Sequence, residues 1–235
     1  MTTAARARYS GYRFPAEISS HAVWLYFRFP LGLRMVEELL AARGIIVSHK
    51  TVRQWARKFG QQFANRIRRR LPRVGDKWHL GEVVLKIAGV KHWLWRAVDQ
   101  TGIVLDVLVQ RRRDKRAAKR LLRKLLKKQM RPPRVMLTDK LASYGAAKKG
   151  GHARHRASPA QGIEQPSREF APTRRRERQM KQLKSAGQAQ RFLSAHDQIN
   201  NLFHLRRDHV TAAEHRASRT QTFQVWAEIC SMGCQ

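Results

Sequence analysis

This sequence is short of acid. Its 235 residues hold 16 Asp and Glu against 49 Lys and Arg, a formal net charge of +33. That surplus is larger than a solvated surface needs. Neutralising phosphates releases condensed counterions, so a chain of this charge is expected to face nucleic acid. Cysteine is nearly missing too. Cys230 and Cys234 lack partners at metal-site spacing, which excludes a disulfide scaffold and predicts thiols in a reducing cytoplasm. No hydrophobic run reaches membrane length, and the N-terminal region carries no apolar signal-peptide core, so no membrane partner is expected. A Gly-rich phosphate loop is missing as well, and no Ser, His and Asp or Cys and His set points to a protein nucleophile. Aromatic residues are not scarce. Six Trp and nine Phe among 42% hydrophobic residues exclude wholesale disorder.

The present patterns divide the chain in three. Residues 1–73 read as an N-terminal helical DNA-binding region, 74–205 as an α/β catalytic domain, and 206–235 as a polar tail. Near the start, Trp24, Tyr26, Phe27 and Phe29 suit helix packing better than base stacking, and Pro30 ends their element. Leu33, Val36, Leu39 and Leu40 then repeat at amphipathic-helix spacing. Gly44 is placed as the C-cap of that helix, and Ser48 as the N-cap of the next. In the second helix Val52, Trp55 and Phe59 form a buried stripe, which Phe63 and Ile67 extend past Gly60.

Two short helices around a Gly-containing turn, over 33–59, fit a helix-turn-helix. Its second helix would offer Ser48, His49, Lys50, Thr51, Arg53, Gln54 and Arg57 to DNA. A helical hairpin with a solvated basic face has the same pattern, and the spacing alone leaves both open.

From Lys77 the period changes to that of strands. Three runs, separated by Gly89 and Gly102, predict an antiparallel meander. A charged helix over Asp114 to Lys128 follows, stopped by Pro132 and Pro133. Then come a short strand, Val135 to Asp139, and a helix over Leu141 to Ala147. This order opens an RNase H-like core, a mixed five-stranded sheet with helices whose first and fourth strands are neighbours. Asp99 and Asp106 are further strand carboxylates that could neighbour a metal site or belong to the surface. Another helix is expected over Ala189 to Leu205.

Several motifs occur in a telling order: Trp78-His-Leu-Gly-Glu82, Val90 to Asp99, Arg113-Asp-Lys-Arg-Ala-Ala118, Leu137-Thr-Asp-Lys140 with Tyr144, and Thr173 to Lys181. Together they closely resemble transposases of insertion-sequence family six, from Tyr12 to about residue 226. The resemblance implies a bacterial, cytoplasmic and nucleoid-associated DDE enzyme. It would bind double-stranded DNA at terminal inverted repeats, transfer strands into target DNA, and act as a homo-oligomer on DNA. It also implies Mg²⁺ or Mn²⁺. Two ions about 3.5–4 Å apart clamp the attacking and leaving oxygens of a phosphodiester displacement, and three carboxylates fix them.

This chain departs from that pattern at two of the three carboxylates. The first falls at Gly81. Glu82 adjoins it, but alternate strand residues face opposite ways, so a rescue by Glu82 requires a bulge or a twist. The second is Asp139. The third should precede Thr173, yet residues 149–172 show neither helical nor strand periodicity and are dominated by Gly, Ala, Ser, Pro, Arg and His. That segment reads as translated out of frame between two compensating shifts, which would disrupt the fifth strand. Glu169 then stands near the expected position as a coincidental substitute, with Glu164 a poorer one. His152 and His155, at metal-ligand spacing, fall inside the same segment and are discounted. The expected function is a DNA transposase with an impaired triad. The alternative is a catalytically inactive DNA-binding protein or repressor derived from one.

Overall fold

The computed structural model describes residues 14–70, 75–130, 132–138, 183–205 and 210–231. The chain divides into two compact units, one of residues 1–71 with 195–235, the other of 72–194.

In the first unit, α1 (Ala16–Arg28), α2 (Leu33–Ala41) and α3 (His49–Arg70) are followed much later by α6 (Ala212–Ser231). Helix α1 stops where it must. Phe29 precedes Pro30, and proline pushes its predecessor into the extended region, here at φ −106° and ψ 156°. Trp24 packs edge-on against Phe29 and Phe223, and Phe203 meets Phe223 and Trp226. The aromatic stretch therefore serves helix packing, with Phe27 buried, Trp24 and Tyr26 half-buried and Phe29 exposed. Helix α3 runs unbroken through Gly60, burying Val52, Trp55, Phe59, Phe63 and Ile67.

Residues 206–235 were expected to be a polar tail, and the structure differs. Helix α6 buries Trp226, Ile229 and Cys230. Trp226 meets Phe63 edge-to-face at 5.2 Å, Arg66 Nη1 donates to the carbonyl of Ile229 at 2.7 Å, and Arg70 pairs with Glu228 at 2.7 Å. Burying Trp226 and Ile229 contributes roughly 1.5–3 kcal/mol each. The helix begins with a capping box: the Thr211 hydroxyl accepts from Glu214 N at 3.2 Å, and Glu214 accepts from Thr211 N at 2.7 Å.

The second unit is a four-stranded sheet among the described residues, in the order β3-β2-β1-β4. Strands β1 (Lys77–Ile87), β2 (Val90–Asp99) and β3 (Val104–Gln110) form the expected antiparallel meander, and β4 (Val135–Thr138) lies parallel to β1. Ala88 and Gly89, at φ 48° and 79°, close the β1–β2 hairpin in the left-handed conformation its tight turn demands. Helix α4 (Lys115–Gln129) starts at Asp114, whose side chain accepts from Ala117 N, and lays Ala117, Ala118, Leu121 and Leu125 against Trp78, Leu80, Trp95 and Leu108. The first half of α5 (Ala186–Leu202) packs Ala189 and Leu193 with Val83, Leu85, Leu94 and Val107. Gln190 covers the outer edge of β3, accepting from Val109 N at 2.8 Å and donating to Val107 O at 3.1 Å. An exposed strand edge invites pairing with another chain, and this amide blocks it locally. The helix expected over 141–147 and the segment 149–172 lie outside the described residues.

Candidate nucleic-acid interface and active site

The turn between α2 and α3 is built by two local devices. At Gly44, φ +74°, the chain reverses while Ile45 N donates back to Leu40 O at 3.0 Å and Gly44 N to Ala41 O at 2.9 Å. This is a Schellman-type stop, which favours glycine because a side chain is strained there. Ser48 then opens α3, its Oγ accepting from Thr51 N at 3.3 Å. Val36, Leu40, Val47, Val52 and Trp55 are buried.

The seven expected DNA-contacting residues fall into two groups. Ser48 is exposed, but its hydroxyl is engaged at the cap with Thr51, 3.1 Å away. His49 Nδ1 lies 3.3 Å from Glu37, so α2 holds it in place. Lys50, Arg53, Gln54 and Arg57, by contrast, are all exposed. Their spacing of i, i+3, i+4 and i+7 puts them on one stripe opposite the buried one. Gln61, also exposed, extends that stripe at i+11 and was missed by the sequence reading. The signal for it was available, since the buried stripe already ran on past Gly60.

In the sheet unit, Gly81 is buried in β1 opposite Arg96 of β2. The β1–β4 register ends at Leu80 opposite Thr138. Gly81 is the next residue on one strand. Asp139 is the next on the other and lies outside the described residues, as do Glu164, Glu169, His152 and His155. Strand alternation puts Gly81 on the face of Val83 and Leu85, where α5 packs, and Glu82 on the face of Leu80, under α4. The β1–β2 register is continuous from Trp78 to Ile87, and the sheet's irregularity falls elsewhere, between Ala97 and Val98. No bulge turns Glu82 toward the face of Gly81. Instead Glu82 Oε1 accepts from Arg113 Nε at 2.9 Å and from its Nη2. The Glu82 side chain is only 3% exposed. Arg113 also lies over the ring of Trp93, 4.9 Å from its centroid.

The other strand carboxylates are engaged as well. Asp99 organises the β2–β3 turn, accepting at Oδ1 from Thr101 N at 2.8 Å and Ile103 N at 3.0 Å, and at Oδ2 from Gly75 N at 3.2 Å. Asp106 holds Lys124 at 2.8 Å and also pairs with Lys128. Among the described residues, no three His, Cys, Asp or Glu side chains are gathered as a metal site would need. No helix of the described residues is long and apolar enough to cross a membrane.

Residues 75–206 match the DDE domain of the IS240 type. The transposase of insertion sequence element IS257 in transposon Tn4003, from Staphylococcus aureus, is 30% identical over 135 residues, covering 57% of this chain and 60% of that protein. The transposase of IS431mec from S. aureus strain Mu50 matches with the same identity and coverage. An uncharacterised protein of Yersinia pseudotuberculosis, pYV0051, is 33% identical over 74 residues, 31% of this chain and 69% of its own. Among solved structures, a chain of the simian T-cell lymphotropic virus intasome with a PP2A regulatory subunit matches 38% of this chain and 34% of its own length, at 18% identity and a TM-score of 0.31.

The sheet order and the matched domain define an RNase H-like core. The chain belongs to the DDE-domain family of insertion-sequence transposases, and it spans about 60% of the length of the S. aureus transposases it matches. Membership implies a divalent metal cofactor. Among the described residues no ligand set for one is gathered, and Glu82, Asp99 and Asp106 are each engaged with other groups.

Proposed function

We propose that this protein is an insertion-sequence transposase by descent, whose α2–α3 helix-turn-helix binds terminal inverted repeats and whose carboxylate set cannot support strand transfer. The observation that carries this reading is Gly81, a residue without a side chain beside the end of the β1–β4 pair. In an intact relative of this fold, Mg²⁺ or Mn²⁺ held there would stabilise charge on a displaced phosphodiester. In this chain Asp139 remains for that role, with Glu169 as the substitute third carboxylate. Homo-oligomers on DNA and attack on a target duplex belong to the same reading.

The test is a strand-transfer and nicking assay on inverted-repeat DNA with Mg²⁺ or Mn²⁺. The natural chain is expected to bind without cutting. Gly81→Asp alone, and together with an in-frame 149–172 segment, should show how many lesions matter. Metal-dependent cutting by the natural chain, abolished by Asp139→Ala, would refute the impairment.

A repressor role is favoured by one further observation, the intact exposed stripe of Lys50, Arg53, Gln54 and Arg57. A protein that occupies the ends without cutting them would compete with an active copy. Arg53→Ala and Arg57→Ala should each weaken binding to repeat DNA, by about 1–3 kcal/mol wherever the contact is bidentate to a base.

A further inference from the structure

Helix α4 has the sequence KRAAKRLLRKLLKKQ, with basic residues at more than half its positions and no acid. Lys115, Lys119, Arg123 and Lys127 form one column at i, i+4 spacing, and Arg116, Arg120, Lys124 and Lys128 form a second. Like charges at that spacing repel, and cations in the first turn also face the positive end of the helix dipole. Only part of this repulsion is relieved. On the flank nearer the sheet, Asp106 holds Lys124 and Lys128, and Gln110 accepts from Arg120 at 3.2 Å.

Lys115, Arg116, Arg123 and Lys127 are exposed and Lys119 is half-buried. None of the five has an acidic partner among the described residues. Arg111 and Arg112, both exposed, lead into the same ridge. At 1.5 Å per residue the column from Lys115 to Lys127 is about 18 Å long. Duplex DNA carries one charge per roughly 1.7 Å, hence about ten phosphates over that length.

We propose that the outer face of α4 is a second DNA-contacting surface, which follows the sugar-phosphate backbone of duplex DNA without reading its sequence. It rests on the reading above that the substrate is duplex DNA, but not on α3. A helix holds its charges at fixed spacing, so the ridge matches a regular duplex better than a single strand that must first be ordered. Such a surface would hold target or flanking DNA while α3 reads the repeat.

The experiment measures affinity of the full-length chain for a random-sequence duplex lacking the repeat, across a series of salt concentrations. The variant K115Q/R116Q/K119Q/R123Q/K127Q is compared with a control of equal charge away from α3 and α4, K77Q/K184Q/R191Q/R216Q/R219Q. At about 0.9 per phosphate contact, the α4 variant should lower the slope of log affinity against log salt by about four to five, and the control by less than half of that. Equal shifts in the two variants would overturn the proposal, as would equally tight binding of single-stranded RNA at physiological salt. Circular dichroism checks the fold. Should the quintuple variant misfold, R123Q/K127Q should still lower the slope by about two. Loss of repeat preference in R53A/R57A with the random-duplex slope unchanged would separate the surfaces. No slope change on α4 with repeat preference intact would sink this inference alone.

Discussion

A Cβ atom built on Gly60 would lie 2.5 Å from the ring of Phe27, so glycine here is what lets α1 reach α3. The Gly60→Val variant should lose about 1–3 kcal/mol, read as a lower denaturant midpoint. An unchanged midpoint would show that Phe27 moves aside without penalty. The sequence signalled only that the buried stripe continued past Gly60, and not why a glycine interrupts it. The partner ring is thirty-three positions away in the chain. Ser48 and Gly44 were legible because their hydrogen bonds join neighbours in sequence. The significance of Gly81 came from resemblance, since nothing in composition distinguishes it from a bulge glycine. The regular β1–β2 register then removed the bulge route for Glu82, which strand alternation alone could not do. Asp99 and Asp106 were ambiguous for a related reason. Gly75, which donates to Asp99, and Lys124 and Lys128, which hold Asp106, are distant in sequence and meet them only once the chain is folded.

At the scale of elements, α6 is the largest departure from expectation. Its apolar positions, Phe223, Trp226, Ile229 and Cys230, are few and come late, so the segment reads as polar. The sequence Thr211-Ala-Ala-Glu214 does carry the capping-box signature. Removing the Thr211 hydroxyl by Thr211→Ala should cost about 0.5–2 kcal/mol, seen as faster amide exchange in the first turns of α6. Glu214 adds a pH dependence. Hydrogen bonds from the Thr211 backbone N–H and then its hydroxyl hold the Glu214 carboxyl below its usual range. A depressed carboxyl stabilises the fold above the unfolded pKa and loses that contribution as pH falls through the folded one. Exchange protection at the start of α6 should therefore decline in acid below the ordinary glutamate range. Glu214→Gln should flatten that decline, and a persistent decline would assign it to another group. The meander and α4 were legible throughout, because their periods and turn glycines are local features.

At the scale of the whole molecule, two predictions concern how the chain was written and how it is closed. Translating the coding DNA of residues 149–172 in its alternative frame should recover an Asn-Asn-x-x-Glu segment; a frame without it would remove the explanation for the composition there. Truncation after residue 205 should destabilise the first unit, because it removes the burial of Trp226 and Ile229. Retention of a cooperative transition for α1–α3 in the truncated chain would count against this.

The first unit is discontinuous, made of residues 1–71 and 195–235. Domains commonly fold N-terminal first while synthesis continues. Here that order cannot hold for the finished unit, because residues 195–235, which complete its core, are made only after the whole of the second unit. The basic stripe of α3 is made early but rests on a core that closes late. During translation the nascent chain therefore carries its positive charge before α3 has a complete core behind it. Whatever α3 does as an ordered helix therefore waits until residues 195–235 have been made, so in this unit charge precedes order.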